Sequence, residues 1–388
     1  MFRFTASPPL ALYVHLPWCV RKCPYCDFNS HALRGELPAT AYVDALLADV
    51  LREIKHIHER EISSVFFGGG TPSLFPPAAL ARLLEGLQRY LRIAADCEIT
   101  LEANPGSVDQ ARFEDFRSAG VNRLSIGVQS FQADSLHRLG RIHGPQAAVA
   151  AVETAHAAGF DNFNIDLMYG LPNQGRPAAV ADITQAIALA PPHISHYQLT
   201  LEPNTAFAAR PPALPEDDAI YAMQIDCQTR LAGAGYQHYE VSAYALRDRR
   251  CRHNLNYWSF GDYLGIGAGA HGKVTDLDKG KITRYEKLAR PMAYIREATA
   301  GEAVAKSHQL SAQDAVLEFM MNALRLPEGV PRKLCTARTG LPWVCFEAAV
   351  DDARNRGWLD ITADDRVRPT ALGMRFLNNL LGCFLPPD

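Results

Sequence analysis

The chain lacks what would place it in a membrane or on a polyanion. None of its apolar stretches approaches the roughly 20 residues that a membrane-spanning helix needs. Neither sign of charge prevails: 39 Lys and Arg stand against 42 Asp and Glu, a net charge of −3. That balance gives no bulk attraction to nucleic acid or anionic lipid. Residues 1–9 hold no long apolar segment with a cleavage site, so a cytoplasmic protein without a secretory signal is expected. Low-complexity tracts are missing, and so is any internal repeat beyond a strand–helix unit. What remains is ordinary globular material: 388 residues, 48% hydrophobic and 21% charged, enough for one large core and one or two smaller modules.

Nine cysteines are present, and in an unsecreted chain they read as metal ligands and buried thiols before disulfides. Cys97, Cys227, Cys251, Cys335, Cys345 and Cys383 are scattered and read as structural. Cys19, Cys23 and Cys26 are not scattered. Their Cys-x-x-x-Cys-x-x-Cys spacing puts three thiolates in one short loop, and thiolates are the usual ligands of a cubane iron–sulfur cluster. Three ligands for four irons leave one iron open to the nitrogen and oxygen donors of a small molecule. Spacing alone also admits zinc, with His15 or His31 as a fourth ligand, or three unrelated buried thiols. The loop, with Pro24 and Tyr25 between its last two cysteines, closely resembles that of radical S-adenosylmethionine (SAM) proteins.

Over the first 235 residues, short β-branched or aromatic runs alternate with longer amphipathic ones. Strands are expected at 11–16, 64–67, 98–102, 123–128, 162–168 and 194–200. Helices are expected at 41–58, 78–91, 110–119, 145–158, 178–189 and 217–232. Six strand–helix units imply a parallel sheet. Eight would close a barrel, so the expected fold is α/β, an incomplete (β/α)6 TIM-like barrel with an open side. A strand at 236–244 leads into 252–272, rich in glycine and aromatics with weak periodicity. From about Ser307 the chain turns helical, with 312–326 amphipathic, and its small helices and short strand pair suggest a winged-helix-like C-terminal domain.

In parallel barrels the loops after the strands share one face. The unusual residues fall there repeatedly: the cysteine loop, Gly68-Gly69-Gly70-Thr71-Pro72, Glu102 near Asn104-Pro105-Gly106, Gly127-Val128-Gln129-Ser130 with Arg141 beyond, and Asp166 before Tyr169-Gly170-Leu171-Pro172. The glycines let backbone approach a ligand and offer N–H or C=O groups. Glu102 suits a hydroxyl or a positive charge, Arg141 a carboxylate, and Gln129 and Asp166 hydroxyl or amino groups.

Together with Leu12-Tyr13-Val14-His15-Leu16-Pro17, these stretches resemble the radical SAM core of the coproporphyrinogen III oxidase-like group, and the likeness continues over nearly the whole chain. It implies a radical SAM core domain at 1–235, a connecting region at 236–306 and a HemN-type C-terminal domain at 307–388. It also implies a 4Fe–4S cluster on Cys19, Cys23 and Cys26, and SAM held by Tyr13, Gly69, Gly70, Thr71, Glu102, Gln129, Arg141 and Asp166.

Within that group the oxidases carry a further cysteine two residues after the triad. Here that position is Phe28, and Phe28-Asn29-Ser30-His31 resembles the HemW, or haem-chaperone, branch instead. His253-Asn254-Leu255-Asn256-Tyr257-Trp258 matches the HNxxYW motif of that branch. His253 would ligate haem iron and Tyr257 and Trp258 would pack on the macrocycle. Read without the resemblance, His253 and Asn254 cap a turn and the aromatics fill an interdomain core. Residues 265–271, Gly-Ile-Gly-Ala-Gly-Ala-His, look like a dinucleotide loop but lack its spacing and βαβ context.

The branch implies a haem chaperone that binds cluster, SAM and haem and passes haem to recipient haem proteins, membrane-associated ones among them. SAM turnover and a homodimer are left open. The alternative is an oxygen-independent coproporphyrinogen III oxidase, which would use a SAM-derived radical to decarboxylate two propionates. A winged-helix nucleic-acid binder gains nothing from the acidic charge balance.

Overall fold

The computed structural model describes residues 2–57, 59–106 and 112–385. β1 (Leu10–Leu16) has no polar face: six of its seven residues are buried, the pattern of a parallel strand covered on both sides. β2 (Glu61–Gly69), β3 (Arg92–Ala103), β4 (Arg123–Gln129), β5 (Phe163–Tyr169) and β6 (His193–Gln198) follow. Each pairs in parallel with the next. Helices Ala39–Glu53, Pro77–Tyr90, Phe113–Ser118, Pro145–Ala157 and Arg176–Ala188 make the crossovers. Pro77 and Pro145 open theirs, at the position where a missing N–H costs a helix nothing. The expected start of the third helix at Gln110 lies outside the described residues, as does His58 at the expected end of the first.

Six parallel strands thus form the expected partial barrel. β2 and β3 begin earlier than expected, because residues 61–63 and 92–97, most of them exposed or half-buried, extend both strands at the N-terminal end.

The stretch 236–306, expected as a connecting region, adds strands to both edges of the same sheet. The single strand expected at 236–244 is a reversal instead, with β7 (Gln237–Glu240) antiparallel to β8 (Ala243–Ala245) and β8 antiparallel to β6. At the opposite edge β9 (Asp262–Ile266) runs parallel to β1. β10 (His271–Asp276), β11 (Lys281–Lys287) and β12 (Val304–Gln309) continue from it in antiparallel fashion. The twelve strands lie in the order β12-β11-β10-β9-β1-β2-β3-β4-β5-β6-β8-β7. The weak periodicity over 252–272 hid β9 because a strand buried on both faces shows neither the two-residue nor the 3.6-residue period.

Buried ion pairs lock this return onto the first half. Lys287 on β11 reaches Asp49 and Glu53 of helix Ala39–Glu53, at 2.6 Å each, and the Tyr294 hydroxyl donates to Asp49 at 2.8 Å.

The C-terminal region has its own apolar core, with Phe319, Met320, Cys335, Phe346, Val350 and Leu380 fully buried. Helix Ala312–Ala323 opens on a capping box between Ser311 and Asp314. A three-stranded sheet, Val330–Pro331, Arg366–Pro369 and Leu359–Ile361 in that order, completes the small helical unit. Among the described residues no helix is long and apolar enough to cross a membrane.

Candidate cofactor site

β1 hands the chain to a short ladder in which Trp18–Cys19 pairs with His31–Ala32. That ladder ties the two ends of the cysteine loop together. Cys26 N–H donates to Cys23 O at 3.2 Å, and Leu33 N–H to Cys19 O at 2.8 Å. Cys19 is buried, and Cys23 and Cys26 are half-buried. Burial pushes the Cys19 thiol up; the Thr71 hydroxyl opposes this, and Cys26 and Cys23 add to it. The three thiols therefore sit close enough to feel one another. The Arg141 guanidinium donates to Cys23 Sγ at 3.6 Å, and Ser30 Oγ lies 3.6 Å from Cys26 Sγ.

Three soft sulfurs beside a cation suit a cluster held by three thiolates. His15 cannot serve as a fourth zinc ligand while its Nε2–H donates to Asn29 O at 2.9 Å and its Nδ1 accepts from Tyr13 at 3.0 Å. Among the described residues no group of three or more His, Cys, Asp or Glu side chains is gathered as a metal site.

The other rim residues converge on the inside of the sheet. Gly69 has φ +116°, and a Cβ there would stand 2.5 Å from the His15 ring. Its N–H donates to Glu102 Oε2 at 3.1 Å. Gly70 N–H donates to Leu16 O and Thr71 N–H to Trp18 O, at 2.9 and 2.8 Å. All three N–H groups are taken within the chain, so what the glycine run has left to offer a guest is carbonyl oxygen. The Thr71 hydroxyl accepts from Asn104 at 3.0 Å.

Glu102 is a half-buried carboxylate with a single hydrogen bond from the described residues, that of Gly69. Burial, then the charge of Asp166, push its pKa up to about 8, against the pull of the Gly69 N–H. Asp166 is raised by burial as well, though Asn164, Ser125 and Ser195 bond to it and resist. Two carboxylates close enough to repel, of which only Asp166 is eased by a cation, Arg123, fit a guest that brings positive charge, as the sulfonium and ammonium of SAM would.

Arg141 stands beside Cys23 and Asn104. Its guanidinium donates to Asn104 Oδ1 at 2.5 Å and Gly127 O at 2.6 Å. Burial would lower it, yet Tyr25 and the Cys23 thiol carry it above its ordinary value. Gln129, at φ +70°, accepts the Tyr197 hydroxyl at 2.8 Å. Burial and then Glu102 push the Tyr13 hydroxyl far up, so it stays protonated and donates to His15. Sequence reasoning missed Asn104, Asn164, Ser125 and Tyr197, which hold the named groups in place. Of these, only Asn104 lay in a segment marked as unusual.

His253 lies beside Tyr13, with ring centroids 6.4 Å apart. On helix Arg252–Trp258 it is 1% exposed. Its Nδ1 meets Ser64 Oγ at 3.0 Å and its Nε2 meets the Tyr257 hydroxyl at 3.1 Å. The ring stacks on Phe66 with centroids 5.0 Å apart. Burial, then the positive charge of Arg123, bring its pKa down to about 3. Neither nitrogen of this neutral ring is free for iron. Trp258 lies under Arg325, 4.2 Å from guanidinium to ring, and packs against the C-terminal core. Leu255 and Trp258 pack on the C-terminal core, as the reading without the resemblance had it for the aromatics, but His253 and Asn254 lie within the helix, whose N-cap is Cys251, and do not cap a turn.

Comparison with known proteins accords with this architecture. Residues 13–181 match the radical SAM superfamily and residues 310–376 the HemN C-terminal domain. The solved structure of the radical SAM coproporphyrinogen III oxidase HemN from Escherichia coli shares the fold, with a TM-score of 0.81 at 24% identity over 97% of this chain and 90% of that one. The heme chaperone HemW of Escherichia coli (strain K12) is 50% identical over 97% of this chain and 98% of its own length. HemW of Haemophilus influenzae is 47% identical over 98% of this chain and 99% of its own. Likeness at this level from end to end, across sheet, seam and C-terminal core alike, places the chain in the HemW family of radical SAM proteins.

Proposed function

We propose that this protein is a cytoplasmic haem chaperone built on a cluster- and SAM-binding scaffold. The observation that carries the reading is the likeness, at 50% identity over 97% of the chain, to a relative named a heme chaperone. The replacement of the oxidases' extra cysteine by Phe28 supports it. The oxidase reading has shared fold alone in its favour.

In this reading Cys19, Cys23 and Cys26 hold the cluster, and Arg141 donates to the Cys23 sulfur from its side. Glu102 and Asp166 receive the positive end of SAM, and Arg141 lies on the side suited to its carboxylate. Gln129 and Tyr13 line the space between, with Gly69, Gly70 and Thr71 at its edge. When bound, a cluster with an open iron supplies a reducing site for the sulfonium. The chain's own contribution is to ionise Glu102 as the cation arrives, which releases a proton from a carboxyl that burial keeps half protonated near pH 8. Haem would be taken up and handed to recipient haem proteins.

The test is anaerobic reconstitution, with iron and sulfide measured and spectra taken before and after SAM and haem. Iron and sulfide in a cluster ratio, a signal altered by SAM and stoichiometric haem uptake are expected. Protein that holds zinc instead, or efficient conversion of coproporphyrinogen III with SAM, would overturn the reading.

A further inference from the structure

We propose that haem docks on the joint where the cysteine loop meets segment 268–292, with His271 as its iron ligand. The proposal rests on the haem-carrier reading above. Asn29 builds the joint. Its side-chain nitrogen donates to Ala268 O and to Ala289 O, both at 2.8 Å, and its Oδ1 accepts from His31 Nε2 at 3.1 Å. The glycine stretch 265–271, which fails as a nucleotide loop, is the seat for this side chain: a Cβ on Gly269 would stand 2.4 Å from Asn29 Nδ2.

Three kinds of exposed group lie within a few residues of that joint along the chain. Phe28, next to Asn29, is 58% exposed, and Met292, three residues past Ala289, is 65% exposed. Lys22, whose Nζ donates to Phe28 O at 3.0 Å, and Arg290, next to Ala289, are exposed cations. His271, three residues past Ala268, is exposed too, and it lies close enough to His15 for the charges of the two rings to interact.

Haem has the matching inventory: an apolar plane, two carboxylates, and an iron that takes an imidazole. Phe28 and Met292 meet the plane, Lys22 and Arg290 the propionates, and His271 the iron. A site open on one side also suits a cargo that must leave again. His253, by contrast, would have to abandon Ser64, Tyr257 and its stack on Phe66 before it reached any iron.

Ferric haem titrated into the full-length reconstituted protein tests this, with the Soret and visible bands as the readout. His271→Ala should weaken binding at least tenfold and shift the bands to those of a lost nitrogen ligand, and added imidazole should restore them. Thermal denaturation should show the variant as folded as the wild type, since His271 is exposed. Phe28→Asp should weaken binding without changing the ligand bands, and His253→Gln should leave the bands alone. Unchanged affinity and bands in His271→Ala, or loss of the nitrogen-ligand bands in His253→Gln alone, would overturn the assignment. Wild-type protein that takes up no haem would overturn the carrier reading along with it.

Discussion

Helix Arg252–Trp258 and the glycine stretch 265–271 stand barely two turns apart in the chain, yet the first sinks its histidine beneath the sheet and the second holds its histidine in water. The helix looks like a binding motif and packs like a core. The glycine stretch looks like a failed motif, and it is where the return of the sheet grips the cysteine loop. Residue types that suit a ligand equally suit a buried seam; what separates the two uses is whether their polar atoms are already bonded. Both ring nitrogens of His253 are.

Chemistry on one side and scaffold on the other can be pulled apart by substitution. The largest effect belongs to the cysteine loop: Cys19→Ser should bring iron and sulfide in reconstituted protein down to background while circular dichroism stays unchanged. A variant that still holds a full cluster would remove Cys19 as a ligand. Next is the buried ion pair between return and first half. Lys287→Met strands Asp49 and Glu53, and such a break costs about 3–5 kcal/mol, which urea unfolding would register. A loss below about 1 kcal/mol would mean that the two halves hold together without it.

Gly269→Ala forces a side chain into φ +79° and against Asn29. Strain of this kind costs about 1–3 kcal/mol, and the loosened loop should surrender iron to a chelator faster than the wild type does. Equal release rates would separate the joint from the cluster.

The smallest effect is a slope. Glu102 is raised from the ordinary glutamate value of 4.5 to about 8, so between those pH values the folded state holds a proton that the unfolded state has lost. Stability should therefore fall as pH rises through that window, and Glu102→Gln should flatten the decline. SAM binding near pH 7 should release a proton from the wild type and not from this variant, as calorimetry in buffers of different ionisation enthalpy would show.

Much of the fold was legible because it is written in local pattern. Each of the first six parallel strands carries a β-branched or aromatic run and is followed by a longer helical one, so six units could be counted before any contact was known. The cysteine triad was legible for the same reason, since its three thiols lie within eight residues. The return of the sheet was not. β9 is buried on both faces and carries no period, and its partner β1 is about 250 residues away. Asn29 marked the branch, but nothing near it announces Ala268 or Ala289.

By itself, then, the sequence determined what is local: the six strand–helix units of the first half and the three sulfurs of one loop. Only the tertiary structure decided which histidine is buried and which is exposed, that Glu102 feels the charge of Asp166, and that the glycine stretch receives Asn29. Burial and long-range hydrogen bonds set the ionisation and the freedom of these groups, and both depend on neighbours that the chain brings in from hundreds of residues away.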